Sequence, residues 1–241
     1  ALDNVTQDQS IPDRGAAAPN RDEGDQHRLE NLNVCDPRDD KKRIGWINGG
    51  LLHDSYGWIL ENTDFRQWRD EQARQLPWIE GGPGKGKTML LCRIIDDLQQ
   101  SAAKTGLLAF FLCQFADSRI NNATAVLSGL IHQLLDQQPS LMSRLWKRYD
   151  REVKAIFEDA NAWVTLSDIL SNILHDSNLP STFLSIYCLD KCLTDLPQLL
   201  GFITENSSAS RPIKWIVSSL NRPNIEERVD AVRRRVKPCL E

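Results

Sequence analysis

Residues 81–88 read GGPGKGKT, eight positions of which four are glycine and one is proline, closing on lysine and threonine. Such a run continues neither a strand nor a helix, because glycine opens left-handed backbone conformations and proline removes a backbone donor. On one side lies LPWIE (Leu76 to Glu80), short, apolar and strand-like; on the other TMLLCRIIDDLQQ (Thr88 to Gln100), with apolar residues at helical spacing. A chain that leaves a buried strand through a tight glycine loop and enters a helix has begun a strand–helix–strand unit. The layer that accommodates such units is a parallel sheet covered by helices.

The downstream pattern repeats the alternation. GLLAFFLCQF (Gly106 to Phe115) reads as a strand, Ala123 to Asp136 as a helix capped by Asn121 or Asn122, and Leu141 to Phe157 as a further helical stretch that Leu166 to Leu174 continues. STFLSIYCL (Ser181 to Leu189) is a strand, LTDLPQLLGFITE (Leu193 to Glu205) a helix, and IKWIVSSL (Ile213 to Leu220) another strand. The fold class is therefore α/β, a mainly parallel sheet flanked by helices. Residues 1–30 are polar and nearly free of large apolar groups, a composition that predicts a disordered tail. Residues 31–75 form a short helical lead-in, with DPRDDKKRI (Asp36 to Ile44), LLHDSYGWIL (Leu51 to Leu60) and DFRQWRDEQARQL (Asp64 to Leu76) as its helical segments, and residues 76–241 form the core.

Composition narrows the partners. A formal charge of −4 gives no electrostatic reason to expect nucleic acid. No stretch approaches the roughly 18 apolar residues of a membrane span, and no apolar leader opens the chain, so neither membrane insertion nor secretion is expected and a cytoplasmic setting is. The six cysteines, Cys35, Cys92, Cys113, Cys188, Cys192 and Cys239, show no metal-like spacing and read as reduced core residues. The run RRRVK (Arg233 to Lys237) reads as a solvated face, and His132 and His175 as structural residues without ligand partners at suitable spacing.

The loop fits GxxxxGK[ST], with Gly81, Gly86, Lys87 and Thr88 in the fixed places. Its glycines let several N–H groups point inward at phosphate oxygens, and the helix behind adds its positive end. The expected cradle is Gly81, Gly82, Pro83, Gly84, Lys85, Gly86, Lys87, Thr88 and Met89. Lys87 would place its charge on the outer phosphates of ATP or GTP, and Thr88 would offer its hydroxyl to Mg2+. A plain glycine-rich turn with an exposed lysine would leave the register of glycines, lysine and threonine unexplained.

Around the loop the text reads GGLLHDSYGWIL, DFRQW, LPWIEGGPGKGKTMLLCRIIDDL, FFLCQFADSRINNATAVLSGLIHQLLDQQPSL, FEDANAWVTLSDILSNIL and IKWIVSSLNRPNIEERV. From about Asp36 to the C-terminus this resembles the NACHT domain of fungal NOD-like receptors, the group that includes vegetative-incompatibility proteins. The resemblance implies a signal-transducing P-loop NTPase in which nucleotide exchange opens a closed receptor and permits protein partnering or self-association through the NACHT core. Family members carry an effector domain before the core and, after it, a lid and sensing repeats of WD40, ankyrin or TPR type; the expectation here is the core alone.

Against that family the acidic chemistry is depleted. The family's second motif resembles an apolar strand followed by DxxDE, and FLSIYCLDKC aligns so that Tyr187 takes the first acidic place, Asp190 the second and Lys191 the glutamate place. Asp190 is thus the candidate catalytic residue and, with Thr88, the candidate metal partner, while Asp195 is an alternative. The family strand ending in Ser-Ser-Arg has Leu220 where the γ-phosphate-sensing arginine belongs, with Arg222 two residues on; Arg119 is a weaker candidate for the phosphates, and Tyr56, Trp58 and Trp68 are either base-stacking or core aromatics. The function that follows is a nucleoside triphosphate-binding signalling module of the innate-immunity or heterokaryon-incompatibility type, with weak ATP or GTP hydrolysis at most. The alternatives are a competent hydrolase working through Asp190 and a nucleotide-free decoy or interaction module.

Overall fold

A computed structural model describes residues 29–30, 32, 36–47, 56–70, 76–142, 161–207, 213–220, 225 and 233–236. Ahead of the sheet the described residues include the helices α1 (Pro37–Ile47), α2 (Trp58–Glu61) and α3 (Thr63–Asp70). Then follow β1 (Leu76–Glu80), α4 (Lys87–Thr105), β2 (Gly106–Leu112), α5 (Ala123–Gln137), α6 (Ala162–Leu174), β3 (Ser181–Tyr187), α7 (Leu196–Ser207), β4 (Ile213–Ser219) and β5 (Arg233–Val236). The five strands lie in the order β2-β3-β4-β1-β5 with every pairing parallel. No described helix is long and apolar enough to cross a membrane.

Strand alternation sorts side chains into two cores, one on each face, as a parallel sheet buried on both sides requires. Leu107, Ala109, Phe111, Leu184, Ile186, Trp215 and Val217 point toward α5, α6 and α7. Leu108, Phe110, Leu112, Phe183, Tyr187 and Ile216 point toward α4 and the lead-in helices. Helix α5 approaches β2 closely: a Cβ on Gly129 would stand 2.5 Å from the Phe111 ring. Asn122 rather than Asn121 caps α5, its Oδ1 accepting the Ala125 N–H at 2.8 Å.

Strand β2 is an edge, and an uncovered edge exposes a row of unpaired backbone groups. Two glutamines one turn apart on α5 close it. The Gln133 amide exchanges hydrogen bonds with Phe110, accepting from its N–H at 3.3 Å and donating to its carbonyl at 2.7 Å. Gln137 does the same for Leu108 at 3.1 and 2.7 Å. Each amide thus substitutes for one residue of a neighbouring strand.

Several sequence expectations shift. Leu29 and Leu32 are buried in the α5-side core and residues 29–30 are helical, so the boundary at residue 30 falls too late; residues 1–28 lie outside the described residues. Of the helix expected over 51–60 only Trp58–Glu61 is seen, residues 51–55 lying outside the description, as do 143–160 of the stretch expected after Leu141. Strands β2 and β3 stop at Leu112 and Tyr187, short of Phe115 and Leu189. Residues 233–236, for which no strand is expected, pair with β1 as β5 from Leu76↔Arg233 to Ile79↔Val236. Three arginines in a row carry no strand signal of their own, and the pairing is imposed by the open flank of β1.

Candidate functional site

The loop after β1 folds as its composition demands. Gly84 and Gly86 adopt φ of +73° and +71°, a region that side chains rarely enter. Gly86 is doubly constrained, because a Cβ there would stand 2.0 Å from the Tyr56 hydroxyl. The aromatic weighed as a base-stacking candidate therefore packs on the loop. Trp68 is buried between Phe65 and Phe183, at ring separations of 5.6 and 5.8 Å, and belongs to the core, while Trp58 packs against that core's edge.

Lys87 opens α4 and curls back. Its Nζ donates to the Gly81 carbonyl at 2.5 Å and the Gly82 carbonyl at 2.8 Å, and the side chain is only 8 % exposed. The exposed lysine of a plain turn is not what the chain builds. Burial holds the Lys87 ammonium below the ordinary lysine range; nearby Cys188 and Asp190 pull it up, and Lys191 adds to the lowering.

A cleft of about 440 Å³ opens over this loop, lined by Pro83 through Met89, by Cys188, Asp190, Lys191 and Leu220, and by Ile44 from α1. Seven of the nine cradle residues thus line one cleft, and the other two, Gly81 and Gly82, hold the lysine. Asp195, Arg119 and His132 do not line it. Asp195 sits before α7, where its Oδ1 accepts from Gln198 at 3.1 Å, and Arg119 pairs with Asp117 at 2.7 Å in an exposed turn. His175 ends α6 with its Nδ1 2.6 Å from the Ser171 carbonyl oxygen. Arg222 lies outside the described residues.

The opposite wall follows β3. Tyr187 is fully buried on the α4 face, and its hydroxyl donates to the Leu91 carbonyl at 3.0 Å, one turn into α4 beyond Thr88. A shorter carboxylate at this place would stop beneath the loop; the tyrosine runs past it into the core and gives the cleft no acceptor. The chain then turns sharply at Cys188, at φ +51°, into a 3-10 turn over Leu189–Lys191. Two hydrogen bonds tie this turn to the end of β4: the Cys188 N–H donates to Ser218 Oγ at 3.1 Å, and the Leu220 N–H donates to Asp190 Oδ1 at 2.7 Å. The paired serines of β4 are structural, since Ser219 Oγ also accepts from the Trp78 indole at 3.0 Å.

On this wall the Cys188 thiol lies 3.9 Å from the Thr88 hydroxyl. Burial pushes that thiol up, with Lys191 opposing, so it stays neutral at ordinary pH. Sequence reading had placed Cys188 in the core with the others; Cys92, Cys113 and Cys192 are indeed buried and free, Cys188 lines the cleft, and Cys35 and Cys239 lie outside the described residues. A thiol carries no motif of its own here, and only the turn after β3 reveals it.

A magnesium ion wants several oxygen ligands, commonly one or two carboxylates besides phosphates and water. Among the described residues lining the cleft the candidates are the Thr88 hydroxyl and the Asp190 carboxylate. Asp190 is 6 % exposed and already holds the Leu220 N–H through one oxygen, and a lysine follows it directly. The donor set fits such an ion poorly.

A parallel sheet whose first strand passes through a glycine loop into a helix, with the loop lysine folded over the loop's own carbonyls, defines the P-loop NTPase fold. The family model described as Nephrocystin 3, N-terminal, matches residues 54–220, and the chain belongs to that NACHT-related family. It is 54% identical over 213 residues to vegetative incompatibility protein HET-E-1 of Podospora anserina, an alignment covering 88% of this chain and 16% of that protein. The resemblance to fungal NACHT domains drawn from the sequence is thereby borne out. Two solved structures of Drosophila ORC are also similar. The one bound to DNA is 14% identical with a TM-score of 0.39, covering 99% of this chain and 52% of that one. The one bound to GC-rich DNA and Cdc6 is 13% identical with a TM-score of 0.42, covering 96% and 36%.

Proposed function

We propose that this chain is the nucleoside triphosphate-binding module of a fungal NOD-like receptor of the incompatibility type, with impaired hydrolysis. The observation that carries the reading is a contrast: a loop complete at every fixed position faces a wall on which Asp190 alone of the three acidic places keeps its carboxylate, with Lys191 at the glutamate place and Tyr187, at the first, turned into the core. The backbone N–H groups of 84–88 and the N-terminus of α4 would cradle the phosphates, and Lys87 would leave the Gly81 and Gly82 carbonyls to meet them. Water activation has no base beyond Asp190, whose first duty is to hold the end of β4.

Similarity to HET-E-1 supports the receptor setting and a soluble partner or a second copy of the core as the thing contacted. The chain spans 16% of that relative's length, so signal input and output would belong to segments beyond it. A competent hydrolase working through Asp190 is the second reading, favoured only by that carboxylate's place on the cleft wall. Calorimetric titration of the purified chain with ATP and with GTP tests the proposal: saturable binding of at least one is expected, with phosphate release near the background of a Lys87→Ala control. Silence toward both nucleotides would remove the reading; rapid release would transfer it to the hydrolase.

A further inference from the structure

The poor fit to magnesium raises the question of what neutralises a triphosphate in this cleft, and the lining supplies an answer. Lys85, Lys87 and Lys191 bring three ammonium groups to the wall against the single carboxylate of Asp190 among the described lining residues. Resting on the nucleotide-binding reading above, we infer that the cleft takes a nucleoside triphosphate free of divalent cation, with Lys191 supplying from the β3 side the positive charge that a metal ion would otherwise bring.

Three independent features converge on it. The residue at the end of β3 that faces the Thr88 helix sends its hydroxyl to the Leu91 carbonyl, out of reach of any ion in the cleft. Beside the Thr88 hydroxyl on that wall stands the Cys188 thiol, a soft and weak partner for a hard cation. Lys191 is exposed, yet its backbone is held in place, because its N–H donates to the Cys188 carbonyl at 2.8 Å and closes the turn. A cation carried by this turn repels a second cation and attracts the polyphosphate, so one substitution both weakens the metal site and substitutes for its charge. Lysine acts here as a point charge without demanding geometry, which suits a flexible phosphate chain.

The test titrates the whole chain with ATP by calorimetry, once in EDTA and once with excess magnesium. Binding is expected to persist in EDTA and to be weakened, not improved, by excess magnesium, which ties up the free triphosphate. Lys191→Glu should weaken binding in EDTA by about tenfold or more and leave it improved by magnesium, whereas Lys191→Arg should keep metal-free binding. Cys188→Asp, a change at a partly exposed position beside Thr88, should introduce a magnesium preference without touching Lys191. Binding that appears only with magnesium would overturn the inference and leave the nucleotide-binding reading standing. Metal-free binding unchanged in Lys191→Glu would overturn the role of Lys191, and absence of binding under both conditions would overturn the nucleotide reading itself.

Discussion

The two walls of the cleft differ in how far their residues are free to change. In the loop after β1 two of the four fixed positions are used twice: Gly86 supplies a left-handed turn and makes room for Tyr56, and Lys87 opens a helix and clasps the loop. In the turn after β3 the side chains have drifted toward packing. Tyr187 belongs to the core, Asp190 ties down β4 from the cleft wall, and Lys191 lines the cleft beside it. The comparison teaches that holding phosphates is bound up with the fold of the loop, whereas hydrolysis rests on side chains that the fold can do without.

The sharpest way to break this contrast is to rebuild the acidic wall. A Tyr187→Asp, Lys191→Glu double variant is expected to release phosphate about 10²–10⁴-fold faster per folded molecule than the unmodified chain, the usual worth of an oriented acid or base. Equal rates would mean that Asp190 already does the chemistry. The same experiment carries a cost visible only in the structure: Tyr187→Asp removes a fully buried ring that packs on Phe110 at 6.4 Å, so urea unfolding should show a loss of about 3–5 kcal/mol. A stable variant would show that the ring is not part of the core's cohesion.

On the loop side, Lys87→Ala is expected to weaken ATP binding about 100-fold, the loss of charge-assisted hydrogen bonds worth roughly 3 kcal/mol. Circular dichroism on the same sample checks that the fold persists, and unchanged affinity would sink the phosphate role of the loop. The smallest effect belongs to a residue on neither wall. Asn122→Ala removes the cap of α5 and should cost about 1 kcal/mol in unfolding free energy while leaving ATP affinity unaltered. A change in affinity there would show that the two walls are coupled through the body of the domain.

Much of this was legible before any coordinates. The strand Leu76–Glu80 and the start of α4 follow from apolar pattern and glycine chemistry, and the cradle follows from register alone. Other features needed three dimensions. Tyr187 was recognised as out of place in an acidic position, but its path past the cleft depends on where α4 presents the Leu91 carbonyl. Cys188 reads as one more apolar cysteine until a positive φ turns it toward Thr88. The inward curl of Lys87 was not legible in the motif either: a glycine loop shaped to curl around phosphate also curls around an ammonium group. Strand β5 was missed because an edge takes its partner from the sheet and not from its own residues.

The glutamine pair on α5 has a consequence for assembly. An incoming extended segment meets Phe110 and Leu108 with their backbone groups already occupied by Gln133 and Gln137, so addition of a strand on the β2 side would first have to strip two amides from their places. The sheet therefore has a polarity of growth. Recruitment by strand addition, whether in a receptor assembly or in misfolding, is steered away from the β2 border of the described sheet.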